Sequence, residues 1–253
     1  MFLNRIFSRH LFRKVPEITL IFWVIKLLTT AMGEATSDFL VHALDPIIAV
    51  LLCAVGFIII IALQFWVKKY IPWVYWLTVT MVAIFGTMAA DVVHIVLGIP
   101  YVVSTIFFGV SLSAIFLVWY KVENTLSIHS ISTTRREFFY WLTIIVTFAL
   151  GTATGDMTAA TFGWGYLVSG IVFAMLFVLP YLGYKFLKLN SIFAFWFAYV
   201  MTRPFGASFA DWFGRTPGTG GIGLGTGKTS IILGILIILF VLYLTISHKD
   251  QKK

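Results

Sequence analysis

From residue 18 to residue 247 the chain alternates long apolar stretches with short polar ones. The apolar runs lie at 18–44, 46–67, 72–97, 100–120, 138–161, 164–184, 191–213 and 229–247. Each is close to the about 20 residues that a helix needs to cross roughly 30 Å of hydrocarbon. The pattern predicts eight transmembrane helices and leaves no room for a soluble domain.

The polar residues inside these runs recur in register. Four segments align without a gap: "WVIKLLTTAMGEATSD" from Trp23, "WLTVTMVAIFGTMAAD" from Trp76, "WLTIIVTFALGTATGD" from Trp141 and "WFAYVMTRPFGASFAD" from Trp196. Each is preceded by an aromatic residue (Phe22, Tyr75, Tyr140, Phe195) and reads Trp, nine residues, Gly, four residues, Asp. The glycines are Gly33, Gly86, Gly151 and Gly206; the aspartates are Asp38, Asp91, Asp156 and Asp211, four of the six in the chain. Each copy then turns and returns through a second helix. Repeats with an even number of spans keep their orientation, so the expected fold is an all-α integral membrane protein. Its eight helices form four parallel-oriented two-helix repeats, pseudo-symmetric about the membrane normal.

Spacing sets the expected organisation. The Trp-to-Trp intervals are 53, 65 and 55 residues, and "ENTLSIHSISTTRRE" fills the long one. Residues 18–70 form repeat one, 71–121 repeat two, 122–137 a cytoplasmic linker between halves, 138–188 repeat three and 189–253 repeat four with a cytoplasmic tail. In repeat four the outer turn is enlarged by "GTGGIGLGTGKTS" at 218–230. That stretch resembles a phosphate-binding loop, but Ile222 stands where the first glycine of that motif belongs and no strand precedes it. No nucleotide is expected. The loop at 214–228 reads instead as flexible and free to fold over a pore mouth.

Composition supports the membrane assignment. The chain is 60% hydrophobic and 11% charged, with a mean hydropathy of +0.98. The net charge of +8 raises the question of nucleic acid, and the distribution of charge answers it. With the N-terminus inside, inner segments hold fourteen Lys and Arg, and outer segments only Arg215 and Lys228. That bias marks cytoplasmic termini and contact with anionic inner-leaflet lipid, not a polynucleotide. Residues 1–17 alternate Phe and Leu with arginines as an interfacial amphipathic segment would. The one cysteine, Cys53, reads as a packed intramembrane residue.

The fourfold motif, together with "TTRREFFYW", "ALGTATGD" and "TRPFGASFADW", resembles a bacterial inner-membrane family built of tandem repeats of unknown function. The resemblance covers nearly the whole chain. It implies four two-helix repeats and a membrane location and supplies no activity.

The residues must therefore carry the functional reading. Asp follows Trp by fifteen positions, about 22 Å of helix at 1.5 Å per residue. Trp23, Trp76, Trp141 and Trp196 thus read as inner-interface anchors and, with the four glycines, as repeat-packing residues, the glycines being sites of close approach. The aspartates fall in the outer third of their spans, where carboxylates usually face a bundle interior or water. Four of them about 10 Å apart repel by about 1.7 kcal/mol per pair at an effective dielectric near 20, and so call for protons or cations. One turn inward lie Glu34, Thr87, Thr152 and Ala207; one turn outward lie His42, His94 and Arg215. No paired-Cys or HxxxH spacing points to a bound structural metal, and no cofactor is expected.

Copy-specific residues break the symmetry. Lys26 and Glu34 occur only in the first repeat and Arg203-Pro204 only in the fourth, so Arg203 is a candidate partner of Glu34 or a substrate contact. The leading expectation is a non-enzymatic transporter or channel for a small cation, a proton or a divalent metal, lined by the Asp ring. The alternatives are a membrane scaffold or partner subunit, and a carrier of small organic anions through Arg203 and Lys26. An intramembrane aspartyl protease is disfavoured, because Ala153 replaces the first Gly of its Gly-x-Gly-Asp motif.

Overall fold

A computed structural model describes residues 13–251 and contains eight long helices. They are α1 (Leu20–Ala43), α2 (Pro46–Trp66), α3 (Pro72–Asp91), α4 (Tyr101–Glu123), α5 (Thr134–Asp156), α6 (Gly165–Leu187), α7 (Ser191–Gly214) and α8 (Thr226–Ser247). No strand occurs among the described residues. The expected interfacial helix falls mostly on residues 1–12, outside the described part.

Local chemistry sets the helix ends. Thr19, Asp45, Thr133 and Asn190 accept backbone N–H groups at the starts of α1, α2, α5 and α7. Pro46 and Pro72 open α2 and α3, where a missing N–H costs nothing. Asn124, Lys188 and His248 end α4, α6 and α8 in the left-handed conformation.

Six of the eight helices are long and apolar enough to cross a membrane: all but α1 and α7. These two carry Lys26 and Glu34, or Arg203 and Asp211, on faces buried within the bundle, and the first also carries the half-buried Asp38. Position explains the difference. Of the apolar stretches, 61% is buried in α3 and α5, against 11%, 17%, 22% and 28% in α2, α4, α6 and α8. The first helix of every repeat is thus inside and the second outside.

The inner helices form a closed ring in which α1 packs on α3, α3 on α5, α5 on α7 and α7 on α1. Each outer helix lies chiefly on the inner helix of the following repeat: α2 on α3, α4 on α5, α6 on α7 and α8 on α1.

Two layers show why the repeated residues are what they are. A Cβ on Gly33 would sit 2.9 Å from the carbonyl carbon of Ala83, and one on Gly86 2.9 Å from Phe148 Cβ. A Cβ on Gly151 would sit 2.9 Å from Pro204 Cδ, and one on Gly206 2.9 Å from Ala31 N. Each glycine therefore admits the next helix at a distance that no side chain allows. Nearer the other end, Phe22 meets Trp76, Tyr75 meets Trp141, Tyr140 meets Trp196 and Phe195 meets Trp23, with ring centroids 5.5, 5.7, 6.2 and 5.6 Å apart. Such pairs contribute about 0.5–1.5 kcal/mol each beyond area burial. The tryptophans are thus not a lipid-facing belt: Trp76, Trp141 and Trp196 are buried and Trp23 half-buried. Their indoles seal the ring by packing on the neighbouring repeat.

Segments remote in sequence close this aromatic end. Val15, Ile128 and Ile131 are buried in its core. Lys14 N donates to Ile131 O, Tyr70 N to Arg13 O and Glu17 N to Asp250 O. Glu137 pairs with Lys14 and accepts from Gln64 Nε2 at 2.9 Å, while Trp196 Nε1 donates to Leu126 O at 2.8 Å. The stretch expected as a linker at 122–137 is therefore the end of α4, a packed turn and the start of α5.

Candidate functional site

The side chains facing the ring axis form layers because residues three or four apart share a helix face. At the aromatic end the hydroxyls of Tyr75 and Tyr140 bond to each other, and Tyr199 Oη stands beside them without a hydrogen bond of its own. Next comes Lys26, 1% exposed, its Nζ 4.1 Å from the centroid of Phe148 and 4.2 Å from that of Tyr199.

Above it lies Arg203, also buried, at the hub of all four inner helices. Its Nη1 donates to Thr30 O at 3.1 Å; its Nη2 donates to Glu34 at 2.6 Å, to Thr152 Oγ1 at 2.8 Å and to Thr87 Oγ1. Thr87 and Thr152 in turn donate to Ala83 O and Phe148 O. The three acceptor side chains are the residues that follow Gly33, Gly86 and Gly151. The fourth repeat has Ala207 at that position and contributes the cation instead. Among the described residues, Arg203, Lys26 and the tyrosines are thus closed to water along the axis.

Beyond this plug the four aspartates gather at the opposite end, within electrostatic range of one another. They are not alike. Arg215 Nε donates to Asp211 at 2.8 Å and its Nη2 lies 3.4 Å from Asp38. Asp91 and Asp156 have no ion pair among the described residues. These two also end their α-helices, and a π turn follows each, at Val92–Val96 and Met157–Thr161. π turns interrupt regular helix hydrogen bonding and recur at functional sites. No group of three His, Cys, Asp or Glu able to hold a metal occurs among the described residues.

Several expected site residues fall elsewhere. His42 is exposed, its Nδ1 2.6 Å from Asp38 O. His94 has Nδ1 2.8 Å from Ile99 O and stacks on Tyr101 at 3.9 Å, tying off the π turn instead of joining the carboxylates. Thr87 and Thr152 serve Arg203 and not an ion. With both its Nη atoms engaged, Arg203 is the structural partner of Glu34. The glycine-rich loop is pinned, not free: Ile222, Gly223, Leu224 and Gly225 donate to Trp212, Arg215, Phe213 and Gly214 carbonyls. Those N–H groups are unavailable to a phosphate. A groove of about 630 Å³ between α4 and α7, lined by Phe116, Asn124, Asn190 and Trp196, lies at the aromatic end, away from the carboxylates.

Residues 21–70, 74–125, 139–188 and 194–250 each match one family pattern, described as Repeat of Unknown Function (DUF347). The chain belongs to this family. No curated protein and no solved structure matches it. Within the DUF347 repeats, sequence reasoning missed Tyr101 and Tyr166. Each is half-buried ten residues after Asp91 or Asp156, and Arg215 stacks on Tyr166 at 5.0 Å. The signal was present in "GIPYVVS" and "GWGYLVS", the matching turns of repeats two and three.

Proposed function

We propose that this protein is a non-enzymatic transporter of a small cation, protons foremost, spanning a bacterial inner membrane eight times with both termini cytoplasmic. The observation that carries the reading is the axis: four equivalent carboxylates gather at one end, above a plug made of Arg203, Glu34, Thr87 and Thr152. A cation channel needs a continuous wet path, and an arginine at a constriction repels cations. A carrier closed at one end fits better than a channel. Asp91 and Asp156, without fixed counter-ions, are the groups free to exchange a proton or cation, while Asp38 and Asp211 share Arg215 as a common partner. Lys68, Lys69, Lys121, Lys185 and Lys188, at the aromatic end, suit anionic inner-leaflet lipid.

The test is flux into proteoliposomes loaded with pH- and divalent-metal-sensitive dyes, native protein against Asp91→Asn with Asp156→Asn. Native flux that the double variant loses at equal folded amounts supports the proposal; a native protein that moves no tested cation sinks it. A second reading, a membrane scaffold, draws on the fixed contacts of both Arg203 Nη atoms. It predicts that the double variant loses thermal stability and has no activity to lose.

A further inference from the structure

The transport reading leaves one buried charge-bearing group without a task. Lys26 lies on the ring axis, 1% exposed, and among the described residues no oxygen accepts a hydrogen bond from its Nζ. Its polar neighbourhood consists of two ring faces, Phe148 from α5 and Tyr199 from α7. The one buried carboxylate nearby, Glu34 on its own helix, is taken by Arg203 of α7. No other repeat has an ionisable group at this level apart from Tyr199; the counterparts in α3 and α5 are Val79 and Ile144, both buried. The buried faces of the two outer helices that touch α1 carry no charge, being Ala49, Cys53 and Gln64 in α2 and Thr229, Ser230, Ile237, Val241 and Leu244 in α8.

The two ring faces attract an ammonium, but no carboxylate completes the pairing that a permanently charged buried amine would call for. A lysine that shifts between amine and ammonium needs no permanent partner. It does need a route for the proton, and hydroxyls continue along the axis. Tyr199 Oη stands beside the bonded pair of Tyr140 and Tyr75. The Tyr75 ring lies 5.7 Å from that of Tyr70, whose hydroxyl donates to Asp250 at the aromatic end.

We propose that Lys26 takes up and releases one proton per transport cycle, exchanging it with the aromatic end through the hydroxyls of Tyr199, Tyr140, Tyr75 and Tyr70. The inference rests on the transport reading and adds the coupling site to it. In the loading step the amine lone pair of Lys26 gains a proton handed along the tyrosine hydroxyls from Asp250; the Tyr140–Tyr75 and Tyr70–Asp250 links are already hydrogen bonds, and Lys26, Tyr199 and Tyr75 must turn to close the other three. Each hydroxyl gives up one hydrogen and gains another, so only Lys26 and the aqueous donor change charge. Asp91 and Asp156 serve the other end, and Arg203 with Glu34 keeps the two ends from connecting directly.

The test uses the full chain in proteoliposomes with pyranine inside and a potassium diffusion potential set by valinomycin, so that the proton itself is the probe. Native protein should move protons, and Lys26→Met should slow them by about tenfold or more, the scale of a lost proton-transfer group. Tyr140→Phe should slow them while leaving the thermal midpoint close to native. Native-like flux in Lys26→Met overturns this inference alone; a native protein that moves no protons overturns both it and the transport reading. Methionine suits a layer whose counterparts are Val79 and Ile144, so the variant should fold. If it does not, Lys26→Arg decides, because a permanent cation cannot release its proton, and native-like flux through that variant overturns the proposal.

Discussion

Repeats one and four hold every cation on the axis together with carboxylates, and repeats two and three hold only the carboxylates of Asp91 and Asp156. The first pair supplies Lys26, Glu34, Arg203, and Asp38 and Asp211 bridged by Arg215. The second pair supplies Thr87 and Thr152 at the hub, π turns after Asp91 and Asp156, and Tyr101 and Tyr166 beyond them. Copies of one unit have thus divided the work. One seam carries fixed ion pairs that set geometry, and the seam opposite carries carboxylates with nothing permanent to neutralise them. A ring of four identical charges would repel itself; a ring in which Arg215 offsets one charge and holds two of the carboxylates leaves the other two open to exchange.

The sharpest way to break this contrast is at the hub. Removing one partner of a buried ion pair costs about 3–5 kcal/mol, because the other charge is left stranded. Arg203→Gln should therefore lower the thermal midpoint more than any other single change on the axis. Arg203→Gln with Glu34→Gln should lower it by less than the sum of the two, a coupling that a double-mutant cycle in detergent measures.

Next in size are the glycines, which hold the two seams equally close. Gly33→Ala and Gly206→Ala each place a methyl against backbone and should cost about 1–3 kcal/mol, as overpacking does. If only the charged seam needed this approach, Gly86→Ala would be silent, and equilibrium unfolding reads the difference.

The aspartates sharpen the comparison by dissociating stability from transport. Asp91→Asn and Asp156→Asn should leave stability within about 0.5 kcal/mol and abolish flux. Asp211→Asn removes a partner of Arg215 and should lower the midpoint as well. Equal destabilisation by all three would erase the distinction between seams.

The smallest effect is at the aromatic end. Burial pushes the Asp250 carboxyl up from its ordinary range, with the hydroxyl of Tyr70 pulling the other way. A carboxylate raised on folding favours its neutral form in the native state. Its contribution is therefore complete below the unfolded value of about 3.9 and is lost as pH rises through the folded one. Asp250→Asn should remove that decline from a plot of thermal midpoint against pH, leaving a flatter curve.

The repeat, its register and the inside position of Gly and Asp were legible in the sequence, because a spacing kept four times over needs no knowledge of neighbours. Approximate span bounds were legible too, from the apolar runs alone, though those runs do not show the caps at Thr19, Asp45 and Asn190 that fix the helix starts. What escaped depended on which repeat adjoins which. Trp76 looks like an interfacial anchor until Phe22 of the preceding repeat is seen to cover it. His94 lies at helical spacing from Asp91, but the π turn rotates it onto Tyr101. The stretch 122–137 is polar enough to read as a solvated linker, yet Ile128 and Ile131 anchor it in the core. Arg203 and Glu34 were recognised as possible partners; that Thr87 and Thr152 complete their shell follows only from the closed ring.

Each outer helix lies on the inner helix of the following repeat, and the last returns to the first. No repeat therefore covers its own inner helix chiefly with its own outer one, and a chain carrying only one or two of them would leave inner helices largely uncovered. Folding should be all-or-none across the whole sequence, without stable sub-assemblies during synthesis. Two halves made as separate chains should be individually unstable and yet recover a native complex when expressed together. The same closure means that the point where the chain starts around the circle is arbitrary, so an order beginning with the third repeat should assemble into the same particle.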